Sequence, residues 1–253
     1  DWLDRIAALF PARGILVLSR DCGAAQGRVW PHRPLRLVYP GVSPERFDQA
    51  VRETPAAARA ALGLPRDGTL IGIVGRLQRW KGMHVLLDAL PAVRARHPDA
   101  RVVIVGGAHE PEPDYPAVLR DQTRRLGLES AVTFAGFQQD IPRWMQAMDI
   151  IVHASDREPF GIVVVEAMAL GKPVVAGAEG GPAEVITPGE NGLLAPFGQP
   201  TALANALLQF LDDPALAARC AKSATQRARE FSSQRYASAF TDAVLGLLDG
   251  TAF

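Results

Sequence analysis

Cysteine, lysine and net charge are all scarce in this chain, and each scarcity removes a class of function. The two cysteines, Cys22 and Cys220, stand far apart and outside any C-x-x-C or Cys/His cluster. That excludes a disulfide framework and a thiolate metal site, both of which need grouped thiols. A reducing, cytoplasmic setting is expected. Lysine occurs only at positions 81, 172 and 222, so a lysine in a candidate site carries more weight than it would in a lysine-rich chain. Lys plus Arg (27) equals Asp plus Glu (27), so no overall field draws in nucleic acid or an anionic membrane, and any anion site must be built locally. No apolar run approaches the roughly 20 residues that cross a bilayer, and the N-terminus lacks the basic-then-apolar pattern of a signal peptide. No membrane span and no nucleic-acid partner are expected. Internal repeats and low-complexity tracts are also missing. So is an initial methionine: the chain opens at Asp1 in what reads as a helix, Trp2 to Phe10, leading into a strand, Gly14 to Ser19. We expect a fragment that starts within a domain.

What is present is enough apolar material, 48% of 253 residues, to bury a full core. Six short β-branched runs recur with helical patterns between them: Leu70 to Gly75, Val102 to Gly106, Ala131 to Phe134, Ile150 to His153, Pro173 to Ala176 and Gly192 to Ala195. Near-continuous apolar content means both faces of these strands are covered. The predicted fold class is α/β, a doubly wound, Rossmann-like parallel sheet of six strands with helices on both faces. The strand over Gly14 to Ser19 is one this sheet does not need, and Gln26 to Pro40, rich in Pro and Arg, reads as a linker. Three helical segments follow the last strand. The final one, Phe231 to Leu248, carries an apolar stripe of Tyr236, Phe240, Val244 and Leu247 whose partner surface lies elsewhere.

In open α/β sheets, ligands bind beyond the carboxyl ends of the strands. After the first sheet strand comes Gly75-Arg76-Leu-Gln-Arg-Trp-Lys81-Gly82. Its glycine permits close approach, and its two cations precede a helix start, which suits a diphosphate clamp; ordinary solvated loop cations are the alternative. Gly106-Gly107 and Gly136-Phe137-Gln138 follow the next two strands and either border a nucleobase or simply turn the chain. Glu158-Pro-Phe160-Gly161-Ile162-Val163-Val-Val-Glu166 leaves the fourth strand through a polar loop into a helix whose first N–H groups suit a phosphate. Glu158, beside such an anion site, should point at hydrogen-bond donors such as sugar hydroxyls. Glu166, inside an apolar stretch, needs a partner. A ribose diol suits it; a structural arginine or a solvent-facing position is the alternative. Gly180-Gly181-Pro-Ala-Glu184 either lies near the phosphates or sugar or is an ordinary strand-to-helix turn. His153 reads as a packed residue rather than a catalytic one.

Taken together, Gly75-Arg76 with Lys81-Gly82, the E-x7-E segment from Glu158 to Glu166, Gly171-Lys-Pro-Val-Val-Ala and Gly180-Gly181-Pro-Ala-Glu184 resemble glycosyltransferase family 4 (glycosyl transferases group 1), from about Leu35 onward. The resemblance implies the C-terminal, donor-binding half of a GT-B fold and a retaining hexosyltransferase. It implies three segments: 1–34 as the end of an N-terminal acceptor domain plus hinge, 35–230 as the nucleotide-sugar domain, and 231–253 as a crossover helix and tail. Arg76 and Lys81 would neutralise the diphosphate. Glu158 and the backbone from Phe160 to Val163 would hold the transferred sugar and distal phosphate. Glu166 would take the ribose, while Gly75, Gly106, Phe137 and Gly181 would line the donor. The implied partner is a UDP-sugar first, with GDP- and ADP-sugars as alternatives. No cofactor and no metal are expected, and the missing domain would supply the acceptor site and any peripheral membrane contact. Alone, the fragment would bind nucleotide weakly and transfer little. Competing readings are a non-catalytic nucleotide-sugar module and another GT-B enzyme such as an epimerase. The scarcity of lysine argues against a phosphorylase with Lys-bound pyridoxal phosphate, and the absence of G-x-G-x-x-G after the first strand against an NAD enzyme.

Overall fold

A computed structural model describes residues 12–28, 32–47, 50 and 52–249; the helix expected over Trp2 to Phe10 lies outside them. The elements in chain order are β1 (Ile15–Val17), α1 (Arg20–Gln26), β2 (Leu35–Leu37), α2 (Pro55–Ala61), β3 (Leu70–Val74), α3 (Met83–Arg96), β4 (Arg101–Val105), α4 (Tyr115–Arg125), β5 (Val132–Gly136), α5 (Ile141–Ala147), β6 (Ile150–His153), α6 (Ile162–Ala169), β7 (Val174–Gly177), α7 (Pro182–Val185), β8 (Leu193–Ala195), α8 (Pro200–Asp212), α9 (Pro214–Ala228) and α10 (Ser233–Asp249). Six strands form one sheet in the order β5-β4-β3-β6-β7-β8, all neighbours parallel. Each expected sheet strand is present, Ile150–His153 with the expected bounds and the others within a residue or two of theirs. The extra strand is present too, as β1, and it pairs in parallel with β2 in a separate two-stranded sheet. The stretch read as a linker therefore carries a strand. Its prolines do not prevent this, because Pro34 sits just before β2 and offers its carbonyl to the Ile15 N–H at 2.9 Å.

Alternating strand residues divide the interior into two cores. Ile71, Ile73, Val102, Ile104, Ile150 and Val152 face a cluster built with α3 and α8. Leu70, Val74, Val103, Val105 and Ile151 face another built with α5, α6 and α9. This is the doubly covered sheet that unbroken apolar strands require. Leu86 on α3 is fully buried, and truncating such a leucine to alanine costs about 2–5 kcal/mol. Gly72 is glycine because Met148 fills its side: a Cβ there would lie 1.8 Å from Met148 Sδ.

Several helices are closed by a side-chain oxygen at their N-cap, as Ser19, Thr54, Asp140 and Asp213 do for α1, α2, α5 and α9. Helix α6 is not. Its N-cap is Gly161, held in the left-handed region at φ 88°, which glycine adopts without steric cost. The chain lays down β3, β4 and β5 outward and then returns to place β6 beside β3. The crevice of this fold therefore opens between the carboxyl ends of β3 and β6.

Candidate functional site

The segments leaving β3 and β6 are locked together by main chain. Asp156 N–H donates to Trp80 O at 2.7 Å, and a Cβ on Gly82 would lie 2.0 Å from Ala154 O. That contact brings the Lys81 Nζ to 2.5 Å from Glu158 Oε2, with both side chains largely buried. The same ammonium lies 4.0 Å from the centre of the Trp80 ring, a cation–π distance. On the other side, His153 Nε2 is 3.1 Å from Glu158 Oε2 and 3.3 Å from Ser155 Oγ. Burial alone raises the Glu158 pKa, but the hydrogen bonds and charges of His153 and Lys81 outweigh it and bring the carboxyl down to about 2. Glu158 is therefore a fixed anion at neutral pH. Sequence reasoning expected sugar hydroxyls as its donors. In the structure the donors are Lys81 and His153, and His153, read as merely packed, is a member of the site. The signal available was its place at the end of a buried strand five residues before Glu158.

Across the crevice the first N–H groups of α6 are open. Among the described residues, the N–H groups of Phe160, Gly161, Ile162 and Val163 find no acceptor in the chain. Helix N-termini with unmet donors attract phosphate. The Phe160 ring is not part of this opening: it is buried against Tyr39 and Phe231, with centroids 5.8 and 5.5 Å away, so only its backbone is offered. Ile162 is exposed and Val163 half-buried. Arg76 is exposed and, among the described residues, makes no hydrogen bond or ion pair.

Gly75, Gly106 and Gly136 line up along the sheet edge. Gly75 N–H donates to Val105 O and Gly106 N–H to Gly136 O, both at 2.9 Å. A Cβ on Gly106 would lie 1.8 Å from Gly75 O, so this shelf is bare backbone. Phe137 stands at its end, 75% exposed.

The Gly180-Gly181 turn supports Glu158 from below: Gly181 N–H donates to Glu158 O at 2.8 Å, and a Cβ on Gly181 would lie 2.2 Å from Phe160 Cα. Glu184, at the end of the same motif, is used elsewhere. Its carboxylate accepts the N–H groups of Arg20 and Asp21, each at 3.0 Å, and the Tyr39 hydroxyl at 2.8 Å, so it closes the start of α1. Asp21 in turn takes Arg157 through two hydrogen bonds of 2.8 and 3.2 Å. Arg157, at φ 39°, immediately precedes Glu158. These contacts join positions more than 130 apart and carry no sequence signal.

Glu166 is 5% exposed and meets an arginine: Arg46 Nη1 lies 3.0 Å from its Oε1. Burial raises the Glu166 pKa, and Arg46 pulls against that rise.

The family model described as Glycosyl transferases group 1 matches residues 56–227, more than half of the chain. The D-inositol 3-phosphate glycosyltransferase of Corynebacterium urealyticum is 38% identical over 202 residues, which is 78% of this chain and 48% of that protein. The protein of that name from Streptomyces avermitilis is 37% identical over 231 residues, 89% of this chain and again 48% of its own length. The chain thus spans about half the length of these curated relatives. Among solved structures, Anabaena HepE in complex with UDP and glucose superposes with a TM-score of 0.87 at 32% identity, covering 97% of this chain and 66% of that one. The C-terminal domain of the Francisella tularensis group 1 protein LpcC matches with a TM-score of 0.69 at 30% identity, over 77% of this chain and 100% of that domain. Among the described residues no helix is long and apolar enough to cross a membrane. The chain belongs to the group 1 glycosyl transferases, and it carries the C-terminal domain of their GT-B fold.

Proposed function

We propose that this chain is the donor-binding half of a retaining hexosyltransferase that takes a nucleoside-diphosphate sugar, with UDP-sugar first and GDP- or ADP-sugar as alternatives. The observation that carries the reading is the Lys81–Glu158–His153 cluster facing the open N–H groups of α6. One wall offers a fixed anion and a cation, the other a set of phosphate donors. Arg76 and Lys81 meet the diphosphate, and the backbone of Phe160 to Val163 cradles the distal phosphate. Glu158 holds the sugar hydroxyls, while Glu166 takes the ribose. The base lies on the glycine shelf beside Phe137. As the sugar leaves, negative charge grows on the diphosphate, where preorganised cations and helix N–H groups stabilise it without a metal in that role. HepE has been solved with UDP-glucose as well as with UDP, which supports UDP as the first choice. The acceptor would be set by an N-terminal domain, for which the relatives have room in the roughly half of their length that this chain does not cover. The donor chemistry and the two free thiols fit a reducing cytoplasm.

The test is thermal unfolding of the chain with UDP, GDP and ADP in parallel. A ligand that binds only the folded state stabilises it by about 2.7 kcal/mol at a hundred times its Kd. UDP should give the largest rise in Tm; no rise with any of the three removes the reading. Given a donor and a range of acceptors, the chain alone should transfer little, and transfer at the rate of a full-length relative would remove the part assigned to a second domain.

A further inference from the structure

Glu166 and Arg46 are 120 positions apart and meet at the edge of the proposed ribose site. The arginine is not a loose surface group that happens to reach a carboxylate. It belongs to a single helical turn, Pro44–Phe47, that is fastened on both sides. Phe47 is 2% exposed in the core of α5 and α6. Val42, just before the turn, donates its N–H to Phe231 O at 2.8 Å and accepts from Ser233 N–H at 3.0 Å. Arg46 is thereby presented to Glu166 by a rigid support. Its own side chain remains 54% exposed, so substitution there leaves the core intact.

The contact uses one carboxylate oxygen. Among the described residues, Arg46 is the sole side chain hydrogen-bonded to Glu166, and it binds Oε1; Oε2 is neither paired nor sealed from solvent. The other charged groups of the Arg46 pocket do not compete. Arg143 pairs with Glu53 at 3.0 Å and with Asp140 at 3.4 Å.

We propose that Arg46 is a positioning residue for nucleotide recognition: by occupying Oε1 of Glu166 it holds Oε2 as an oriented, charged acceptor for the ribose diol. This rests on the nucleotide-binding reading above. The physical reason is that a carboxylate in apolar surroundings escapes its desolvation cost by taking a proton or turning toward solvent. A guanidinium on one oxygen removes both escapes. Its planar fork also fixes direction, which a lysine ammonium does less well.

The readout is discrimination between UDP and 2′-deoxy-UDP by calorimetry on the 253-residue chain. A hydrogen bond to a charged group corresponds to about 10- to 100-fold in affinity, so the parent should prefer UDP by that ratio. Glu166→Gln should reduce the ratio sharply. Arg46→Met should bring it close to that of Glu166→Gln, with 2′-deoxy-UDP affinity nearly unchanged, and Arg46→Lys should restore part of it. A structural role alone would weaken both ligands together. Equal weakening of both ligands by Arg46→Met, or an intact ratio, overturns the inference and leaves nucleotide binding standing. A parent that binds UDP without discrimination overturns the ribose role of Glu166 and the inference with it. A parent that binds no UDP removes the UDP reading itself.

Discussion

The two ends of β6 each carry buried ionic groups, and they use them in opposite ways. At the N-terminal end, each guanidinium nitrogen of Arg59 has an acceptor: Nε on Ala147 O at 2.8 Å, Nη1 on Arg66 O and Gly68 O at 3.1 Å, and Nη2 on Asp149 at 2.5 Å. Asp149 also accepts the Leu70 N–H at 2.7 Å, and Lys172 Nζ donates to Gln146 O at 2.7 Å. These charges tie loops to the sheet, and four of the five N–H donors of Arg59 are taken. At the C-terminal end, Lys81 and Glu158 hold each other, but His153 Nδ1 is buried without a partner, Arg76 is unengaged among the described residues, and the first N–H groups of α6 are open. Unused hydrogen-bonding capacity in a folded interior is unfavourable unless a ligand meets it. Among the described residues the scaffold end has one unpartnered buried oxygen of its own, Gln146 Oε1, so it is the open helix N–H groups together with the unengaged Arg76 that separate the site from the scaffold.

The largest expected effect falls on the scaffold end. Arg59→Met takes the guanidinium from three carbonyls and from Asp149, which keeps the Leu70 N–H, and each buried acceptor left unmet costs about 1–3 kcal/mol. The urea midpoint should drop accordingly, while UDP affinity of the folded protein stays as it was. A loss of affinity with unchanged stability would reverse the assignment of the two ends. Lys81→Met should do the converse, raising the Kd for UDP by about 10- to 100-fold. Its effect on the urea midpoint should be smaller than that of Arg59→Met, because His153 still holds Glu158.

The two ends also titrate in opposite windows. Lys172 is brought down to about 8 from 10.5, by burial first and by Arg59 as well, with Asp149 acting against them. Its unfolded form therefore binds more protons between those values, and stability rises as pH climbs from about 8 toward 10.5. Glu158, at about 2 against 4.5, contributes stability that is complete above pH 4.5 and lost as pH falls toward 2. Tm profiles of Lys172→Met should lack the alkaline rise, and those of Glu158→Gln should lack part of the acid loss; profiles that match the parent in these windows would contradict the pairing. The smallest effect belongs to Phe137→Ala. An aromatic contact is worth about 0.5–1.5 kcal/mol, so UDP should bind about 2- to 10-fold more weakly. Stability should hold within about 0.5 kcal/mol, since the ring is mostly exposed. A large fall in Tm would show that the ring serves packing.

The strands were legible because a doubly covered parallel strand leaves a local trace: Leu70 to Val74 or Ile150 to His153 cannot be written with polar residues. Positions beyond strand ends were legible for the same reason, which is how Gly75, Lys81 and Glu158 were singled out. The contacts that complete the site were not. Arg46 with Glu166, Asp21 with Arg157, and Glu184 with the start of α1 each join positions more than 100 apart, and nothing in the local pattern near Arg46 distinguishes it from other arginines. His153 was passed over because its role depends on which way the loop after β6 folds back. β2 was missed because a three-residue strand between prolines has too few residues to show a period.

The contact of the Gly180-Gly181 turn with Glu158 sets a mechanical tolerance for the whole crevice. Glu158 is backed by main chain, with Gly180 so near that a single added Cβ would fall 2.3 Å from the Glu158 carbonyl oxygen. Backbone seated on backbone has almost no give, unlike a contact between side chains that can change rotamer. A change of one methyl group or one residue in the turn after β7 would therefore be transmitted at nearly full amplitude to the loop that carries the carboxylate. Insertions that a surface turn would ordinarily absorb have nowhere to go here.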